Sequence, residues 1–237
     1  SWSADPVVNG RPSDQTETWT RLSRFTVNPG TGVADRDSEQ VLFSQRDVNI
    51  YHAGGGLFFH PKDGFLYVSV GDEGGARDFR GNSQRIDRNL FSGVLRIDVD
   101  RRGGAISHPI RTHPVDGQSD HYFIPNDNPF VGTPGALEEF FAIGLRSPHR
   151  MTYDPVDNLA WIGDIGQSAL EEISVLEVDR GPLNFQWNIR EGTKEGFAGP
   201  RGAEGTLGIW TDPLFEFGRD QGRSIIGGYV YRGERQP

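Results

Sequence analysis

The chain has 237 residues, 35% of them hydrophobic and 24% charged, which suits one globular domain or part of a larger one and excludes a disordered chain. A formal net charge of −9, without a Lys/Arg cluster, excludes nucleic acid as a partner, because that affinity comes from cationic neutralisation of phosphates. The absence of cysteine excludes disulfides and thiolate metal sites, and no apolar run reaches the roughly 18 residues of a membrane span.

The first ten residues, SWSADPVVNG, lack the basic and apolar regions of a signal peptide. The 32 glycines and 15 prolines fall between short apolar runs, a pattern of many tight turns that predicts an all-β class. In chain order, TWTRLSRFTV and EQVLFSQ within 17–46 are expected as outer strands of a first sheet. A hairpin follows, in which Pro61 fixes φ at the turn and Gly64 accepts a positive one. SGVLRIDVD alternates apolar and polar residues as a third strand, and 101–135, rich in Pro, Gly, Asp and His, is expected as a loop insertion.

Leu57 to Asp72 aligns without a gap with Met151 to Gly166, so that Pro61 meets Pro155, Asp63 meets Asp157 and Tyr67 meets Trp161. EEISVLEVD then repeats the third strand, and RSIIGGYVYRG resembles the inner strand of a later sheet. Self-similar sheets of short strands predict a β-propeller, with one blade at 50–143, a second at 144–220 and the start of another at 223–237. About three blades can be counted, so the ring is incomplete within this chain.

Antiparallel pairing about the Lys62–Asp63 turn places His52 opposite Asp72 and Glu73. In the second copy Arg146 takes the place of His52 and Gly166 that of Asp72. Because equivalent ends of adjacent blades converge at one mouth of the ring, these groups are expected to share a pocket, with Gly54, Gly55 and Gly56 allowing close approach. A carboxylate-held histidine suits general-base work, and an adjacent arginine suits a site where negative charge develops. The structural alternative is that His52 and Asp72 only satisfy each other at a blade end.

Taken together, HAGGGLFFHPKDGFLYVSVGDEG, YFIPNDNPFVG, EEFFAIGLRSPHRMTYDP, WIGDIGQSALEEI and GGYVYRG resemble the glucose/sorbosone dehydrogenase family of soluble pyrroloquinoline quinone (PQQ)-dependent sugar dehydrogenases. The resemblance implies a six-bladed β-propeller, of which this chain covers about half. It implies oxidation of an aldose-type sugar hydroxyl, with His52 as base, Asp72 orienting it, and Arg146 contacting the quinone oxygens. It also implies cofactor contacts at His52, Arg146 and Ser147, and calcium held by backbone carbonyls of Gly166 and Gln167. An external electron acceptor and a periplasmic or secreted location are further implications. Ser147 replaces the Asn common in the family, Tyr51 stands where glucose-oxidising members have an acid, and the cations that grip PQQ come from later blades. A non-catalytic binding module, as in hedgehog-interacting relatives, is the alternative.

Other residues are given structural expectations. His108, His113 and His121 are expected as solvated loop histidines, and Asn126, Asp127 and Asn128 as turn builders. Glu171 and Glu172 are expected as exposed charges at a strand start, and Trp161, Tyr67 and Tyr229 as packing between blades.

Overall fold

The computed structural model describes residues 18–198 and 207–235. The opening segment SWSADPVVNG and the final Pro237 lie outside the described residues. The fold is all-β, with one short 3-10 turn at Arg36–Ser38.

The first sheet joins β1 (Thr18–Arg24) and β2 (Gln40–Asp47), with Thr18 opposite Asp47. The central sheet is built on β3 (Leu57–Phe59), β4 (Leu66–Val70) and β5 (Gly93–Ile97), antiparallel neighbours of which β3 and β4 are joined by the tight Pro61–Gly64 turn and β4 and β5 by the long loop 71–92. The region 101–135, expected as loop, carries β6 (Ser107–Pro109), β7 (Gly117–Ser119) and β8 (Phe123–Pro125). Strand β7 adds to the outer edge of β2 and completes the first sheet. β9 (Phe140–Ile143) then pairs with β5 in the central sheet.

The last large sheet is β10 (Pro148–Asp154), β11 (Leu159–Asp164), β12 (Leu170–Glu177) and β17 (Phe215–Gly218). Between β12 and β17, β13 (Leu183–Asn184) and β16 (Ile209–Trp210) extend the central sheet as parallel strands beyond β9. β14 (Arg190–Glu191) and β15 (Lys194–Glu195) form a small hairpin.

The central sheet is packed on both faces, and its sequence shows why. Leu66, Val68, Val70, Leu95 and Ile97 point into one core, shared with Leu42, Phe43 and Leu137. The intervening Phe65, Tyr67 and Val94 point into a second core with Met151, Ile162 and Leu176 of the following sheet. A strand buried on both sides reads as a nearly continuous apolar run, as LYVSV does. Stacking of successive sheets face to face is the blade geometry of a propeller.

One expectation is corrected here: Tyr229, expected to pack between blades, is 89% exposed. No strand is assigned over 223–235. Among the described residues no strand pairs with this segment. It lies along β11 and bounds an open apolar cavity of about 440 Å³ with Trp161, Ile173 and Ile225.

Candidate functional site

The two hairpins hold equivalent registers. Leu57 faces Val68 in the first and Met151 faces Ile162 in the second, the same pairs that the sequence alignment superposes. Their equivalent ends touch: the Asp72 N–H donates to the Arg146 carbonyl at 2.9 Å. Only glycine fits beside this junction, because a Cβ on Gly71 would lie 1.8 Å from the His52 carbonyl oxygen and 2.9 Å from that of Arg146.

His52 itself has φ 60, a left-handed conformation that costs a non-glycine residue energy and clusters at functional sites. Its Nδ1 lies 2.6 Å from Asp72 Oδ1. Of the two acids that the pairing places near it, Asp72 is the partner, since Glu73 turns to Val48 N and Asn82 Nδ2. Asp72 is fully buried, and its Oδ1 also accepts the Gly74 N–H at 3.0 Å. A carboxylate acceptor at Nδ1 places the ring proton there and leaves the Nε2 lone pair free to take another. Among the described residues Nε2 has no hydrogen-bond partner.

The second oxygen of Asp72 accepts a hydrogen bond from Trp187 Nε1 at 2.8 Å. Trp187 escaped the sequence reading, and its one signal was an apolar indole set among the polar Asn184, Gln186 and Asn188. The face of the same indole lies against Arg146, with 5.4 Å from the guanidinium carbon to the ring centre. Arg146 Nη1 donates to the carbonyls of Ile165 at 2.9 Å and Gly166 at 3.0 Å. Its Nε is buried without a partner, and its side-chain hydrogen bonds among the described residues go to carbonyls and to no carboxylate.

Behind this mouth, the β11–β12 turn is held by buried acids. Asp164 accepts the backbone N–H groups of Arg146 at 2.9 Å and Ser147 at 2.6 Å, which fixes both residues. Glu191 Oε1 accepts three N–H groups, from Ser168, Ala169 and Leu170. Burial pushes the carboxyl of Asp164 up, and burial together with the Asp164 charge pushes up that of Glu172. Gln167 reaches the loop that follows Asp72, its Oε1 accepting the Arg77 N–H at 2.5 Å.

Glu171 and Glu172 therefore correct the expectation of exposed strand-start charges. Both are buried, Glu171 held by Arg219 and the Ile225 N–H, and Glu172 by the Gly192 N–H. The sheet gains β17 outside β12, and that extra strand covers what would otherwise be an edge. His108 is also no solvated loop residue, since it bonds Asn126 and Glu138. Asn128 and Asp127 anchor the insertion to Arg96 of β5.

No group of three or more His, Cys, Asp or Glu side chains among the described residues is arranged to hold a metal. The oxygens available to a cation at Gly166 and Gln167 are backbone carbonyls, and the Gly166 carbonyl already accepts Arg146.

The family described as Glucose / Sorbosone dehydrogenase matches residues 115–235. The chain is 29% identical to the HIPL2 protein of Arabidopsis thaliana, over 92% of this chain and 32% of that protein. It is 28% identical to aldose sugar dehydrogenase YliI of Escherichia coli (strain K12), over 58% of this chain and 29% of that one. Against human Hedgehog-interacting protein the identity is 27%, over 90% of this chain and 26% of that one. The chain thus spans about a third or less of the length of these relatives. Among solved structures, a glucose dehydrogenase superposes with TM-score 0.59 and 20% identity, over 87% of this chain and 51% of that one. The PQQ-bound aldose sugar dehydrogenase of Streptomyces coelicolor gives TM-score 0.52 and 20% identity, over 86% of this chain and 47% of that one. At that identity the structural likeness establishes the fold, about half of a propeller dehydrogenase.

Proposed function

Because the chain belongs to the glucose/sorbosone dehydrogenase family, we propose that the whole protein is a PQQ-dependent oxidoreductase that oxidises an aldose-type sugar hydroxyl. The observation that carries this reading is the His52–Asp72 contact of 2.6 Å, with the ring nitrogen on the far side free of any described partner. His52 Nε2 takes the hydroxyl proton, and the buried Asp72 carboxylate stabilises the imidazolium that results. Arg146 presents a buried positive charge without a carboxylate, which suits the electron-rich oxygens of a quinone. Ser147, next to Arg146 and fixed through its N–H on Asp164, would add a cofactor contact in this reading.

PQQ, when bound, supplies the acceptor for the hydride leaving the sugar carbon, and an external electron acceptor reoxidises it. The Arg146 guanidinium fits the quinone oxygens, and the resemblance implies that cations of later blades grip the PQQ carboxylates. Calcium would draw on the Gln167 carbonyl, the second lone pair of the Gly166 carbonyl, and oxygens of the cofactor. The enzyme would work in a periplasm or outside the cell, where sugar and soluble acceptor meet. No helix of the described residues is long and apolar enough to cross a membrane.

The test is sugar-dependent dye reduction by the full-length protein loaded with PQQ and calcium. His52→Ala is expected to abolish it while circular dichroism stays unchanged; activity near the parent level would refute the assignment. A second reading, a non-catalytic binding module, is favoured by the similarity to Hedgehog-interacting protein over 90% of the chain. An unperturbed quinone absorbance after adding PQQ and calcium to the full-length protein would select that reading.

A further inference from the structure

Trp187 touches both halves of the candidate site, donating its Nε1–H to Asp72 Oδ2 at 2.8 Å and stacking beneath Arg146. It is also held from several directions. Its backbone N–H donates to the Gly144 carbonyl at 3.0 Å, its carbonyl accepts Gln84 Nε2 at 2.6 Å, and Phe197 meets the ring edge-on at 5.9 Å. A buried indole fixed in this way has no freedom to choose another acceptor.

We propose that Trp187 is a positioning residue that sets the proton affinity of the His52–Asp72 pair and seats Arg146 against the same ring. The physical basis is the shared carboxylate. Asp72 is fully buried, so every donor it meets counts: His52 Nδ1 and the Gly74 N–H on one oxygen, the indole N–H on the other. The indole N–H draws charge away from the oxygens and weakens their hold on an imidazolium. Removing it concentrates charge on Asp72 and leaves Oδ2 without a donor, so the pair takes up its proton at a higher pH whichever partner is said to carry it. Asp47, Asp78 and Asp164 act on Asp72 only at a distance, and Glu73 and Arg146 do not touch its carboxylate. Trp187 is therefore the only side-chain donor besides His52 that reaches it among the described residues.

The link to turnover rests on His52 being the base, whereas the effect on the pair does not. The measurement is the titration of the His52 ring by NMR of the full-length protein, labelled with 13C-histidine and free of cofactor. In Trp187→Phe, which keeps an aromatic face under Arg146, the His52 midpoint is expected to rise by about half a pH unit or more. Phe197→Leu, which disturbs the packing of the indole but spares its N–H, is expected to leave the midpoint in place. If the Phe variant does not fold, benzothienylalanine at 187 supplies the same shape without a donor. A folded donorless variant with an unmoved or lowered midpoint overturns the proposal. In the loaded enzyme the acid limb of the kcat/KM profile should rise with the NMR midpoint. A raised midpoint without any PQQ-dependent turnover would refute the proposed function and leave the role of Trp187 intact.

Discussion

Arg146 and Arg96 are both buried arginines on aromatic faces, yet only Arg96 is neutralised. Arg96 is gripped by Asp63 at 3.0 Å and Asp127 at 2.6 Å, with the Phe65 ring 4.4 Å from its guanidinium carbon. Arg146 meets carbonyls and an indole and no carboxylate among the described residues. Burying a charge without a counter-ion is costly, so the first arrangement reads as structural and the second as a charge kept for a ligand.

That contrast separates two substitutions. Arg146→Lys should leave thermal stability nearly unchanged and weaken binding of PQQ to the full-length protein by about tenfold or more, since a point charge cannot reproduce the planar fork. Arg96→Lys should do the reverse, lowering stability by about 2–4 kcal/mol with little change in affinity. Quinone absorbance titrations and urea unfolding on the same samples would check both, and equal effects on affinity would contradict the division of roles.

Calcium binding should depend on the cofactor. One lone pair of the Gly166 carbonyl is taken by Arg146, and Glu191 spends one oxygen on three backbone N–H groups, so the apo site offers too few free oxygens for a cation that takes six to eight ligands. Calorimetry on the full-length protein should show no saturable calcium binding without PQQ and clear binding with it.

Stability should fall as pH rises through the weakly acidic range. Burial raises the Asp47 carboxyl from 3.8 to about 6 and that of Glu139 from 4.5 to about 7, and it also raises Asp164 and Glu172. These groups hold protons in the folded state that the unfolded chain releases near pH 4, so folding takes up protons between roughly pH 4.5 and 7. Each contributes up to about 1.4 kcal/mol per pH unit, favouring the lower pH. The urea midpoint should therefore be higher at pH 5 than at pH 7.5. Glu139→Gln, which keeps the shape beside Tyr122, should flatten the slope by about one proton.

Gly71→Ala should be among the most damaging single changes. The added methyl would collide with the backbone carbonyls of His52 and Arg146, at 1.8 and 2.9 Å, and neither is a flexible side chain that can move aside. A loss of about 3 kcal/mol or more is expected from denaturant unfolding. A neutral result would mean that the two blade ends are not joined as described.

The pairing and register within each hairpin were legible in the chain because they are local. A Pro-x-Asp-Gly turn fixes which residues face each other, and the period of two along each strand then carries His52 to Asp72 and Arg146 to the Gly166 end. The burial of Glu171 and Glu172 was not legible, because it depends on β17 arriving from about forty residues downstream to cover β12. β7 joining β2 is of the same kind: three residues inside a Pro- and Gly-rich insertion become a strand only when an unpaired edge is waiting for them.

The amino-acid sequence alone determined an all-β chain of repeated hairpins whose matching ends carry an imidazole, a carboxylate and a guanidinium. Only the tertiary structure decided that Trp187, 115 positions from Asp72, would join them. The turn and the strand alternation act over a few residues and leave a pattern in the sequence. An indole N–H reaching a carboxylate from the segment after β13 depends on that short strand joining the far side of β9 in the central sheet, and no local pattern records that.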